Sequence, residues 1–133
     1  MVKMKIFPRF NDTDALGHIN NASFASWFEE ARRPLFKVFV PDLDPKKWNL
    51  IIARVEIDYL SQASFSKEVE INTWLEKIGN SSMIVRQDAF QEGVIIARGK
   101  SVMVSFDYSE QKSSPIPDSV KKVLEEKFSS ASV

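Results

Sequence analysis

The residues with the most chemistry per position lie between Phe10 and Phe28, in the stretch FNDTDALGHINNASFASWF. Asp12 and Asp14 are followed there by Gly17, the single histidine His18, and the adjacent Asn20 and Asn21. Core packing does not call for so many polar groups in one short loop. They run directly into an apolar helical pattern, which places them at a helix N-terminus. Free main-chain N–H groups and a partial positive charge at such a terminus can receive a developing anion. A carboxylate or imidazole beside it could act as a base, or Asp14 could simply make a turn or a cap. Asn20 or Asn21 suits the N-cap position. Asp12 reads as an acceptor that stabilises the loop.

Positioning such a loop requires a helix behind it and a surface for that helix to pack on. Phe24, Phe28, Ala31, Leu35 and Val38 recur at steps of three and four, with Trp27 widening the stripe. Pro34 interrupts this pattern, so a kink or a restart is expected there. Upstream, Lys3 to Arg9 reads as a short strand that Pro8 ends or confines to an edge. Val40 to Trp48, with two prolines, is a loop.

From Leu50 the period changes to that of strands: Leu50–Leu60, Val69–Ile78, Ser82–Phe90 and Val94–Phe106. Val69, Ile71, Thr73 and Leu75 share one face, and Val102, Val104 and Phe106 continue the alternation. Short links at Ser61–Lys67, Gly79–Ser81 and Glu92–Gly93 favour consecutive antiparallel strands. Val120, Val123, Leu124 and Phe128 mark a short C-terminal helix, and Ser129 to Val133 should fray. One helix against a large antiparallel sheet is an α+β layout in a single domain spanning 1–133. Unpaired strand edges make a homodimer or homotetramer the expected assembly.

Eighteen basic and eighteen acidic residues cancel, so no net field points to nucleic acid or an anionic membrane. The absence of cysteine removes disulfides, thiolate metal ligands and cysteine nucleophiles, and is compatible with a reducing cytoplasm. A lone histidine argues against a His-based metal site. The N-terminus lacks the apolar core of a signal peptide, and no run approaches membrane-spanning length.

DTDALGHINNASFASWFEEAR resembles the opening motif of the hotdog-fold thioesterases of the 4-hydroxybenzoyl-CoA thioesterase-like group. VEIDYLSQASF, IGNSS, QEGVIIARGKSVMVSFD and the PIP before the last helix extend the likeness over nearly the whole chain. D-x-x-x-H-x-N-N is also similar to the plant acyl-acyl-carrier-protein thioesterases, although Leu16 replaces their polar residue before the histidine. The resemblance implies a long central helix wrapped by an antiparallel sheet of five or slightly more strands. It also implies paired protomers with acyl-CoA sites at their interface. For chemistry it implies hydrolysis of an acyl-CoA or aryl-CoA thioester without metal or cofactor. Asp14 would be nucleophile or general base, and the Asn21 main-chain N–H would polarise the carbonyl.

Those residue types suit the task. Thiols ionise near ~8.5, so the leaving thiolate needs little assistance. What remains is a base or nucleophile and one good oxyanion donor, the latter worth roughly 3 kcal/mol. Gly17 permits the tight turn, Asn20 could bind substrate, and His18 is a further candidate base. Ser81 and Ser82 could bond pantetheine amides. Arg86, with Lys77, Arg98 and Lys100, could meet phosphates. Glu29 with Arg32 and Arg33 reads as helical charge pairing or a dimer contact. Phe24 stands where many relatives carry tyrosine. Three competing readings are an acyl-carrier-protein thioesterase, a non-catalytic acyl-CoA sensor and a hotdog dehydratase. The dehydratases carry a different motif around their histidine.

Overall fold

The computed structural model describes residues 1–130. Strand β1 (Val2–Ile6) precedes a single 3₁₀ turn at Phe10–Asp12 and helix α1 (Asn21–Ala31). Helix α2 (Arg33–Phe39) then leads, through a second 3₁₀ turn at Pro45–Lys47, to four long strands. These are β2 (Leu50–Tyr59), β3 (Val69–Ile78), β4 (Ser82–Gln91) and β5 (Val94–Asp107). A two-residue β6 (Lys112–Ser113) and helix α3 (Asp118–Lys127) close the described chain. All strand pairs are antiparallel, in the order β1-β3-β4-β5-β2, with β6 added to β5. The expected α+β layout is present, with six strands.

The helix stripe packs where its period places it. Phe24, Trp27, Phe28 and Ala31 are buried against Val69 and Ile71 of β3, Ala89 of β4 and Ile96 and Ala97 of β5. Gly99 on β5 marks the closest approach, since a Cβ there would lie 3.1 Å from the Phe28 ring. Pro34 produces a restart. α1 ends at Ala31, and α2 begins with proline in its first turn, where the missing N–H costs nothing. A second core gathers Leu35, Leu50, Met83, Val85, Met103, Leu124 and Phe128, so α2 and α3 cap the far end of the sheet.

The alternation on β5 is present: Val102 and Val104 share the outer face, while Ser101, Met103 and Ser105 point inward and are buried. Two other expectations need correction. Arg32 does not pair with Glu29 at the surface. It is 3 % exposed, and its guanidinium donates to Gln87 Oε1 at 3.2 Å. Burial lowers its pKa, with Glu29 opposing. Arg33 takes the surface pairing instead, with Glu30 at 2.8 Å. The expected fraying does not extend to Ser129, whose carbonyl accepts from the N-terminal ammonium at 2.6 Å; residues 131–133 lie outside those described.

β2 forms one edge of the sheet and leaves Ile51, Ile52, Val55 and Tyr59 exposed, with Leu60 just beyond it. Among the described residues no helix is long and apolar enough to cross a membrane. The tight packing at Gly99 generates a stability prediction. Gly99→Ala should destabilise the protein by about 1–3 kcal/mol, because the Phe28 ring must give way inside a filled core. Urea denaturation monitored by tryptophan fluorescence measures it.

Candidate active site

The loop ahead of α1 is held mainly by its own backbone. Asp14 N–H donates to His18 O at 2.8 Å, and Gly17 N–H donates to Asp14 O at 3.3 Å. The Asp14 side chain completes the turn. Its Oδ1 accepts from Leu16 N–H at 2.8 Å and His18 N–H at 3.0 Å. Gly17 adopts φ +79°, a left-handed conformation with no steric cost for glycine. Both readings of Asp14 are therefore compatible: one oxygen makes the turn, and Oδ2 has no partner among the described residues.

Hydrogen bonds set the charge of Asp14. The Leu16 N–H lowers its pKa most, partial desolvation opposes, and the His18 N–H and nearby imidazole lower it further. Asp14 is an anion at neutral pH.

Asp12 anchors this loop to the helix. Its side chain is nearly buried and accepts from Arg9 N–H at 2.7 Å and Trp27 Nε1 at 3.3 Å. The Arg9 guanidinium lies 3.4 Å away, and Asn20 N–H donates to Asp12 O at 2.8 Å. Burial raises the Asp12 pKa, but bonds from Arg9, Ser23 and Trp27 outweigh it and hold the value below the ordinary one.

Asn20 occupies the N-cap position with φ −64° and ψ 136°, yet its side chain does not cap the helix. Its Nδ2 donates to Thr13 O at 3.2 Å. No described group accepts from Asn21 N–H, which leaves the helix start available for an anion. Asp14, His18, Ile19, Asn21 and Phe24 line a pocket of about 350 Å³ with Tyr59, Leu60, Ser61, Gln62 and Ala63. Two elements separated in the chain thus share one cavity. The Tyr59 ring packs edge-on to Phe24, and its hydroxyl donates to Asn21 O at 3.2 Å.

The second wall comes from the link between β2 and β3. Ile19 N–H donates to Ala63 O at 3.1 Å, and Phe65 N–H donates to Gly17 O at 3.2 Å. His18 and Ser64 form an antiparallel bridge. Sequence reading missed Tyr59 to Ala63 because nothing local signals a pairing with a loop so far upstream. The only hint was a small, polar link following a strand.

Asp14, His18 and Asn21 come together in the pocket, and Gly17 and Asn20 shape its loop. Ser81, Ser82 and Arg86 do not join them in this protomer. Ser81 and Ser82 sit beside β5 near the second core, where Ser81 O accepts from Ser105 N–H at 2.7 Å. Arg86 lies on the outer face, 3.1 Å from Glu76, and Arg98 pairs with Asp88 at 3.0 Å. Lys100 also faces Glu76 at 3.9 Å, so these cations already have carboxylate partners. Among the described residues there is no group of three or more histidine, aspartate or glutamate side chains able to hold a metal.

A family model described as the thioesterase-like superfamily matches residues 8–124. The chain belongs to this superfamily. It is similar to a predicted thioesterase from Bacillus stearothermophilus, with 40 % identity, 95 % of each chain covered and a TM-score of 0.92. A thioesterase from Thermus thermophilus, solved with coenzyme A and Zn, shares 28 % identity. That likeness covers 93 % of this chain and 91 % of the other, at a TM-score of 0.80. The chloroplastic acyl-[acyl-carrier-protein] hydrolase FATB2 of Cuphea viscosissima is 28 % identical over 92 residues. Those residues are 66 % of this chain and 22 % of the hydrolase. The fold is the hotdog fold of these thioesterases, and the superfamily membership supports a thioester hydrolase.

The Asp12 anchor gives a pH-dependent prediction. A depressed carboxylate pKa contributes stability that is full above the unfolded value, near ~3.9, and fades as pH falls through the lower folded value. Asp12→Asn should therefore cost about 1.5–3 kcal/mol at pH ~7, and the gap to wild type should narrow as pH falls below the unfolded value of ~3.9. Urea titrations of both proteins across that range measure it.

Proposed function

We propose that the protein is an acyl-CoA or aryl-CoA thioesterase that works without a metal or cofactor. The observation that carries this reading is one shared pocket. It is lined both by Asp14, which has one unpartnered carboxylate oxygen, and by Asn21, whose main-chain N–H is open at the start of α1. The Thermus relative's coenzyme A complex supports a CoA thioester as substrate. The Cuphea relative supports an acyl-carrier-protein thioester as the second reading.

In the reaction the thioester carbonyl oxygen accepts from Asn21 N–H. Negative charge then grows on it where the helix terminus is most favourable. Asp14 acts in one of two ways. By the covalent route its free oxygen bonds to the carbonyl carbon, the C–S bond breaks, and the thiolate departs to take a solvent proton. Water then cleaves the acyl-aspartyl anhydride, giving the free acid and restoring the carboxylate. By the other route Asp14 takes a proton from water as that water attacks the carbonyl carbon; the C–S bond then breaks, and the thiolate leaves and receives that proton, giving the free acid and the thiol. The lowered pKa makes Asp14 a weak base that is ionised throughout the neutral range, and Asp14 is the group in the pocket best placed to attack. His18 lines the same pocket and is the alternative proton acceptor.

The assembly that best serves this site is a cytoplasmic homodimer, or a dimer of such dimers, joined through the free edge of β2. The Tyr59 end of that edge borders the Asp14 pocket. Its Leu50 end borders a cleft of about 510 Å³ in which Phe36, Trp48, Ile52 and Met103 form an apolar wall and Glu29, Glu30 and Arg33 a charged one. A two-fold axis on β2 runs the two strands antiparallel. It brings the cleft of one copy to the pocket of the other and provides room for an acyl group.

Asp14→Asn should lower thiol release from a panel of acyl- and aryl-CoAs by about 100-fold or more. Unchanged turnover removes Asp14 from the mechanism. Tight acyl-CoA binding without hydrolysis favours the sensor, and faster hydrolysis of acyl-carrier-protein substrates favours the second reading. Asn21→Pro tests the oxyanion donor. Proline is accepted at the first helical position and Asn20 already has the extended backbone that proline requires before it. The variant should fold while losing about 100-fold in kcat. Wild-type kcat/KM should hold down to pH ~4, because the depressed Asp14 pKa keeps the carboxylate ionised; a fall already at neutral pH overturns Asp14 as the titrating group. Sedimentation equilibrium tests the dimer.

A further inference from the structure

Gln91 ends β4, is 7 % exposed, and makes all its side-chain hydrogen bonds to main chain of the link between β2 and β3. Its Oε1 accepts from Ser64 N–H at 2.9 Å, and its Nε2 donates to Ser64 O at 2.8 Å and Lys67 O at 3.1 Å. The carboxamide thus pairs with Ser64 as a neighbouring peptide would in a sheet. Ser64 is bridged on its other side to His18. Phe65 N–H reaches Gly17 O, and Ile19 N–H reaches Ala63 O. His18 in turn holds Asp14 by two main-chain groups, its carbonyl accepting from Asp14 N–H and its N–H donating to Oδ1. The path runs from Gln91 to Ser64, across the bonds that its neighbours Ala63 and Phe65 make to Ile19 and Gly17, and through His18 to Asp14.

We propose that Gln91 is a positioning residue for the thioester hydrolysis assigned above. It fixes the 63–65 segment as a short strand between itself and the Asp14 loop, and so aims the Asp14 carboxylate. The inference rests on that functional reading and adds a residue that touches neither substrate nor pocket. A general physical reason gives it weight. A displacement of about 1 Å originating away from the chemistry can cost about 100-fold in rate. Any residue of suitable size fills the space, but only a carboxamide supplies both an acceptor for Ser64 N–H and donors for two carbonyls.

The test uses the full chain and two variants. Gln91→Met keeps bulk and removes the amide; Gln91→Glu keeps the acceptor for Ser64 N–H if the first variant folds poorly. Amide hydrogen exchange, read without substrate, should speed up several-fold at His18, Ile19 and Phe65 and stay unchanged in α3. Thiol release should fall about 10- to 100-fold in kcat with KM nearly constant. The titratable groups lining the Asp14 pocket are His18 and Tyr59. Loosening the His18 N–H from Oδ1 should therefore move the acid limb of kcat/KM upward, towards the ordinary carboxylate value of ~3.9. The limb is read only over pH values at which tryptophan fluorescence shows the variant folded, which separates the shift from a loss of stability. Unchanged exchange, or unchanged kcat and acid limb, overturns the role of Gln91 while leaving the thioesterase reading intact. Absence of thiol release in the wild type overturns both, whatever the exchange shows.

Discussion

Asp12 ties three segments of chain to one another: Arg9 just past β1, Asn20 at the helix start and Trp27 inside the helix. A carboxylate with so little exposure is costly unless every lone pair is used, and charge-assisted bonds compensate best. Because Trp27 belongs to the buried stripe of α1, this carboxylate fixes the loop relative to the helix whose first N–H is open. The position of Asp14 follows from that of Asp12, and the open helix terminus follows from Asn20 turning its amide to Thr13. The side chain that departs from ordinary capping leaves the terminus free.

The helix itself is rigid for a different reason. Phe28 lies against bare backbone at Gly99, and beneath it Gln87 donates to Phe28 O at 2.9 Å and to Thr73 Oγ1 at 3.1 Å. Arg32 adds a buried cation to that polar layer. An apolar stripe alone would allow the helix to slide or rotate. A few directional bonds inside the core specify one seating, at the expense of burying polar groups.

Much of this was legible in the residues. The period of three and four gave the helix face, β-branched runs gave four strands close to their observed limits, and Pro34 gave the restart. The polar loop and its Asp14, His18 and Asn21 were also readable, since no core needs such a cluster. What could not be read was anything that depends on two distant segments meeting. Tyr59 to Ala63 became a pocket wall only through the antiparallel bridge at Ser64, and Arg32 turned inward because Gln87 waited on another strand. Ser81, Ser82 and Arg86 have side chains suited to pantetheine and phosphate, but side-chain chemistry does not specify which end or face of a sheet a residue occupies.

The Asp14 loop is built from main-chain bonds and one carboxylate, with Gly17 making its turn. The side chains of Ala15 and Leu16 stand outside that frame, although the Leu16 N–H belongs to it, and Leu16 is 78 % exposed. Their side chains contribute nothing to how the loop folds. Substitution there can alter what approaches the pocket without disturbing the bonds that frame the loop, so the mouth of the pocket can vary at little cost in stability.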